Sequence, residues 1–437
     1  MNKLKVAWIC HFSNNEVRAR LPLSELKLKN WIKTLLGKQI NTGYADFAPW
    51  VTNLIKEFEK YDDVELHVIS PFLGLTHFTY EFKMRNVNYH FFQPAVPIFH
   101  IPYNRLNIKG CPVFFVNRHY VKKFLRNIKP DIVNLIGTEN PYYSVTSLDI
   151  ENIPVYVSAQ TVYTNPDRLR YADDFLPLNW DVELKIHQKE KYFGCGGRMH
   201  RDLILRNNPN ATIFKMFFPI EKPKKVKALP KIFDFVFFAA GVAKKKGVED
   251  AIDALAIVKK TKSDVTLNIV GNCPAAYKNA LVNKVKNLNL AENVSFNDYF
   301  PDHSDMHQHV VQGHFALLPV KLDVIPGSVI EAIYLGLPVV TYKTTGTPYL
   351  NRDGKSVLLS EIDDIEGLAE NMTALLNSDA LAEKLRENAL AFVNREFDNA
   401  VSARRLFDNY KSVIDHYRHN IPIPSEQLFS IDEFPIY

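Results

Sequence analysis

The chain has 437 residues and a net charge of +5, with 46% hydrophobic and 23% charged side chains. Those are globular proportions, and the length suits two α/β domains better than one core. No apolar run approaches the ~20 residues of a membrane span, and the amino terminus has too short an apolar core for a secretory signal.

Charge is unevenly distributed. Residues 1–230 carry 32 Lys/Arg and 21 Asp/Glu, a balance of +11, while residues 231–437 carry 21 and 27, a balance of −6. Cys10, Cys111, Cys195 and Cys273 lie far apart with no C-x-x-C pair. That spacing argues against a disulfide framework or a zinc site and fits a reducing cytosol.

In chain order, residues 5–10, 64–70, 131–136 and 154–158 are apolar, β-branched runs, with helical patterns over 45–61 and 113–128 between them. Continuous apolar strands predict a parallel sheet buried on both faces. Arg118, Lys122, Lys123, Arg126 and Lys129 interleave with Val121, Phe124, Leu125 and Ile128. This is either a basic amphipathic helix resting on an anionic membrane or a solvated helix face. No nucleic-acid motif accompanies the charge, so nucleic acid is not an expected partner. A Lys- and Pro-rich stretch at 221–230 reads as a linker.

The alternation then restarts, with strands over 233–240, 265–270, 294–296, 315–318 and 339–342. Helices are expected over 247–260, 275–288, 305–311, 381–396 and 400–418. The predicted architecture is α/β: two doubly wound Rossmann-like domains facing across a cleft. Residues 1–220 form the first, 221–231 the linker and 232–400 the second, with 401–437 packing back on the first.

The chemistry concentrates in Asp323-Val-Ile-Pro-Gly-Ser-Val-Ile-Glu331, where a Pro-Gly-Ser turn opens a helix between two strands. A helix N-terminus at the carboxyl edge of a parallel sheet holds phosphates, because its first N–H groups lack partners and its dipole favours anions. Ser328 and Glu331 also spell S-x-x-E, a capping box that needs no ligand. Two further strand-to-helix loops should converge there. One spans residues 240–247 and carries Lys244, Lys245 and Lys246; the other spans 270–274 and carries Gly271. With Gly346 and Thr347 they suit a nucleoside diphosphate: base at Gly271, phosphates near Lys246 and Gly346, ribose at Glu331.

These residues resemble the donor domain of the retaining GT-B glycosyltransferases of family 4, over roughly residues 232–360. The family pattern is Glu, seven residues, Glu; here Asp323 takes the first place and Glu331 the second. The resemblance implies transfer of a hexosyl group from a UDP- or GDP-linked sugar to a glycan or lipid-linked acceptor in surface polysaccharide synthesis. It implies retention and no cofactor, at the cytoplasmic side of the membrane. No Asp-x-Asp motif stands at a strand end, and Asp62-Asp63 and Asp173-Asp174 are adjacent pairs in polar loops, so no metal is expected. Asp323 and Lys246 would then serve the chemistry. Glu331, Gly271, Gly327, Ser328, Lys245, Gly346 and Thr347 would hold the donor. Gly241 stands where the family has Arg, and Gln160 where it has His. His11, Glu139 and Gln160 are the acceptor-side candidates. A catalytically weak nucleotide- or glycan-binding subunit, or a nucleotide-sugar epimerase on the same fold, are the alternatives.

Overall fold

The computed structural model describes residues 3–23, 47–96, 101–102, 112–172, 175–224, 226–298, 300 and 302–433. Cys111, Asp173-Asp174 and the first residues of the expected 45–61 helix lie outside these. Among the described residues no helix is long and apolar enough to cross a membrane.

The first sheet takes β1 (Leu4–Ile9), β2 (Val64–Pro71), β3 (Thr79–Met84) and β4 (Val87–Phe92) from the start of the chain. A short antiparallel pair, β5 (Ala95–Val96) and β6 (Ile101–Pro102), stands apart from it. The sheet resumes with β7 (Ile132–Ile136), β8 (Val155–Ser158), β9 (Tyr192–Cys195) and β10 (Thr212–Lys215). Their order is β10-β9-β8-β7-β1-β2-β4-β3, parallel throughout except where β3 runs against β4. Burial on both faces explains the apolar runs: Val6, Ala7, Trp8 and Ile9 of the central strand are all fully buried.

β3, β4, β9 and β10 were not among the expected strands. β3 reads Thr-Tyr-Glu-Phe-Lys-Met and is half exposed at the sheet edge, so it lacks a continuous apolar run. Its turn into β4 puts Arg85 at φ 52° rather than using a glycine.

The helix Phe115–Ile128 carries the basic stripe, with Val121, Phe124, Leu125 and Ile128 buried in the core. Its apolar face is therefore occupied, and Arg118 pairs with Asp149 at 3.2 Å. The exposed Lys122, Lys123, Arg126 and Lys129 leave only an electrostatic contact for an anionic surface.

The second sheet comprises β11 (Phe233–Gly241), β12 (Leu267–Asn272), β13 (Val294–Asn297), β14 (Gly313–Leu318), β15 (Val339–Tyr342) and β16 (Leu358–Ser360). Its order is β13-β12-β11-β14-β15-β16, all parallel. The chain then crosses back. Helix Asn399–His419 starts on an Asp398 cap and lays Ala403, Leu406, Tyr410 and Val413 into the core beneath the first sheet. There Asn134 Nδ2 donates to Tyr410 Oη at 2.6 Å, and Arg418 pairs with Asp131 at 2.8 Å. The two halves also meet at Asp363, whose carboxylate accepts from Lys321 at 2.8 Å, Tyr171 at 2.8 Å and Arg170 at 2.6 Å.

Candidate active site

In the second sheet the strand order reverses between β11 and β14, since β12 follows β11 in the chain yet lies on its other side. Such a switch point opens a crevice at the carboxyl ends of the two strands. The loop after β11 ends at Gly247, which holds φ 74°; a Cβ there would stand 1.8 Å from the carbonyl of Pro319, just past β14. That close approach needs glycine. Lys321 N–H then donates to Lys245 O at 3.0 Å, tying the two loops together.

This brings Lys246 onto Asp323, 77 residues apart in sequence, with Nζ 3.0 Å from Oδ2. The other carboxylate oxygen accepts from Val324 N–H at 2.9 Å, which fixes its orientation. Both residues line a cavity of about 610 Å³ between the two sheets. Their side chains remain 26% and 31% exposed, so the pair is weakly held and open to exchange with a ligand anion.

Helix Gly327–Tyr334 begins at the same wall. Its N-cap is Pro326, with no side-chain cap. The capping-box alternative for Ser328 and Glu331 is therefore corrected: Ser328 is the helix's second residue, too far in to cap it. Val329 and Ile330 donate to Pro326 O, while the Gly327 and Ser328 N–H groups have no partner among the described residues. Both residues line the cavity, and space beside the Gly327 Cα is open. Two free donors at a helix start make an anion seat.

Glu331 projects into the cavity one turn further on. His303 Nε2 and His307 Nε2 stand 3.6 and 3.8 Å from its Oε2. Burial pushes the Glu331 carboxyl up, but the two imidazoles outweigh it and hold it below the usual carboxylate range. Its charge in turn raises the His303 imidazole. A carboxylate kept ionised in this way accepts hydroxyl hydrogen bonds well. Gly271 closes the far wall at φ 140°, where a Cβ would lie 2.0 Å from Ala239 O. Gly241 faces open cavity, with nothing within 4 Å of the missing Cβ.

Other expected donor contacts are spent on the protein itself. Gly346 N–H donates to Val324 O at 3.1 Å, and the Thr347 hydroxyl to Tyr342 O at 2.8 Å. Thr347 is fully buried. These two brace the loop that carries Asp323 instead of facing a phosphate. Lys245 lies off the cavity wall.

On the first-domain side Gln160 reaches the cavity; His11 and Glu139 do not. The His11 ring stacks on Phe47 at 4.9 Å, and burial lowers its pKa. Glu139 folds back over Gly137 with Oε2 buried and unpaired, and burial pushes its carboxyl up to about 7. The wall includes His200, from the run 197–202 whose resemblance implies a cleft wall without chemistry, and residues that the sequence did not single out: Trp50, Phe218 and His303. His200 is buried with both ring nitrogens unpaired, and burial lowers its pKa to about 3, so the ring is neutral. Only His303 and His307 carried a readable signal, their i, i+4 spacing.

Residues 219–392 match the family model described as Glycosyl transferases group 1. The match lies almost wholly within the second domain, which is thus similar to the group 1 glycosyl transferases. A 2-deoxystreptamine N-acetyl-D-glucosaminyltransferase from Niallia circulans is 23% identical over 151 residues, 35% of this chain and 38% of that protein. The match thus spans well under half of the relative's length. Sucrose-phosphate synthase from Thermosynechococcus elongatus superposes with TM-score 0.65 at 14% identity, covering 94% of this chain and 98% of that one. Anabaena Alr3699/HepE, solved with UDP and glucose, superposes with TM-score 0.60 at 14% identity, covering 94% and 100%. At these identities the likeness speaks for the fold, which is GT-B: two Rossmann-like domains, of which the second holds Lys246, Asp323 and Glu331.

Proposed function

We propose that the protein is a retaining glycosyltransferase, moving a hexosyl group from a UDP- or GDP-linked donor to a glycan or lipid-linked acceptor. The observation that carries this reading is the meeting of Lys246–Asp323, the open Gly327–Ser328 helix start and Glu331 in one cavity at the switch point.

The geometry supports the following sequence. The donor diphosphate displaces Asp323 from Lys246 and settles on the Gly327 and Ser328 N–H groups. Glu331 accepts the ribose hydroxyls, and the base lies against Gly271, where no side chain intrudes. Charge grows on the departing diphosphate as the sugar–oxygen bond breaks. Lys246 and the helix start, already aimed there, stabilise that charge without reorganising. Asp323, released from the lysine, turns to the sugar hydroxyls. Neutral Gln160 and neutral His200 on the opposite wall offer no strong base, so the acceptor proton passes to the departing phosphate on the same face. The reaction uses no cofactor beyond the donor and needs no metal.

Surface-polysaccharide synthesis at the inner face of the plasma membrane is the pathway we infer, with the exposed lysines of helix Phe115–Ile128 resting on anionic lipid. The open space at Gly241 favours one second reading, a catalytically weak binding subunit, because the clamp lacks a cation there. A panel of UDP- and GDP-sugars, supplied with membrane extract, separates the two. Slow donor hydrolysis that Glu331→Ala abolishes supports transfer; tight nucleotide binding with no turnover of any donor supports the binding subunit.

A further inference from the structure

One group at the donor end of the cavity is only partly used by glycosyl transfer. His303 and His307 stand one turn apart on helix His303–Val310, a spacing that puts both imidazoles on one face. Their ring centroids are 4.3 Å apart. Both Nε2 atoms address the same Glu331 oxygen, at 3.6 and 3.8 Å. Neither distance is a hydrogen bond, and His307 Nε2 is buried with no hydrogen-bond partner among the described residues. A buried imidazole nitrogen left unpaired is unusual and calls for a ligand.

The spacing fits a cation. Bonds of about 2.0–2.1 Å to nitrogen and oxygen in a tetrahedral shell hold ligand atoms roughly 3.3 Å apart. The three ligating atoms here all lie within 4.8 Å of one another. Closing onto a metal takes a few tenths of an ångström from each Nε2–Oε2 pair, within the freedom of the exposed His303. Two imidazoles and one carboxylate are a borderline-soft set that suits zinc, cobalt and nickel and disfavours magnesium and calcium.

We propose that His303, His307 and Glu331 bind one divalent transition-metal ion of the zinc class, with its remaining position open to the cavity. The ion is not a participant in sugar transfer. It occupies the Glu331 oxygen that, on the reading above, the donor ribose needs, so metal and nucleotide compete and the metal restrains the enzyme. Binding of the metal does not depend on the transferase reading; the competition does.

The test uses tag-free, EDTA-stripped full-length protein titrated with Co²⁺, read by visible absorption, and with Zn²⁺ by calorimetry. One saturable equivalent is expected, with Mg²⁺ unable to displace it. His303→Ala, at an exposed position that leaves the fold intact by thermal melt, and Glu331→Gln should each weaken binding at least tenfold. No saturable binding, or affinity unchanged in both variants, overturns the proposal. UDP and GDP are then added. A rising apparent Kd for the metal supports competition. Metal binding indifferent to nucleotide keeps the metal site and removes the ribose from Glu331. Nucleotide binding that Glu331→Gln weakens in a protein with no metal affinity keeps the donor reading and sinks the metal site.

Discussion

Lys246→Ala separates catalysis from stability. In the free protein Lys246 pairs, among the described residues, with Asp323 at 3.0 Å, and both side chains are about a quarter to a third exposed. A pair so placed contributes ~0–1 kcal/mol to folding. On the proposed function, the same ammonium faces the departing diphosphate in the transition state. Removing one such preorganised partner costs about 2.7–4 kcal/mol, or roughly 10²–10³ in rate. The variant should therefore melt within a few degrees of the parent yet release nucleoside diphosphate on the order of 10²–10³ times more slowly. Lys246→Arg should recover part of that loss, because the charge remains. Both are read by initial rates of diphosphate release beside a thermal melt. A rate within threefold of the parent at unchanged melting temperature would refute the assignment, as would a rate loss that tracks a large drop in melting temperature.

Asp323→Asn frees Lys246 in the absence of donor, so UDP or GDP should bind a few-fold tighter by calorimetry while turnover falls. Gly271→Ala forces a side chain to within 2.0 Å of Ala239 O at φ 140°. A destabilisation of about 1–3 kcal/mol in urea unfolding is expected, with loss of nucleotide binding; a variant as stable as the parent would show that the β11–β12 approach is loose. Gly241→Arg enters open space, so it should fold normally and lower the donor KM; an unchanged KM would place the diphosphate elsewhere. Burial raises Glu139 from 4.5 to about 7 in the folded state. Its contribution is thus fully present below pH 4.5 and is lost as pH rises through about 7. Glu139→Gln should leave stability unchanged near pH 4 and raise it above pH 7 by at most about 3 kcal/mol, measured by urea unfolding across that window.

The sequence by itself determined what depends on local pattern. Strands buried on both faces are apolar at most positions, so β1, β2, β7, β8 and most of the second sheet were legible as runs, and with them the doubly wound architecture. The Pro-Gly-Ser turn and its flanking carboxylates were legible for the same reason, since a helix start between two strands is written in adjacent residues. Edge strand β3 was not, because half its side chains face water. Tertiary structure alone decided which polar groups were free. Thr347 and Gly346 look like donors to a phosphate until packing commits them to Tyr342 and Val324. His11 and Glu139 end strands that point at the cleft, yet their side chains turn away from it into contacts with Phe47 and Gly137. His303 and His307 acquire a role only because a second helix brings Glu331 against them. A residue's type limits the chemistry it can do, but a hydrogen bond or an ion pair has two ends. The second end is supplied by segments that only the fold brings within a few ångströms.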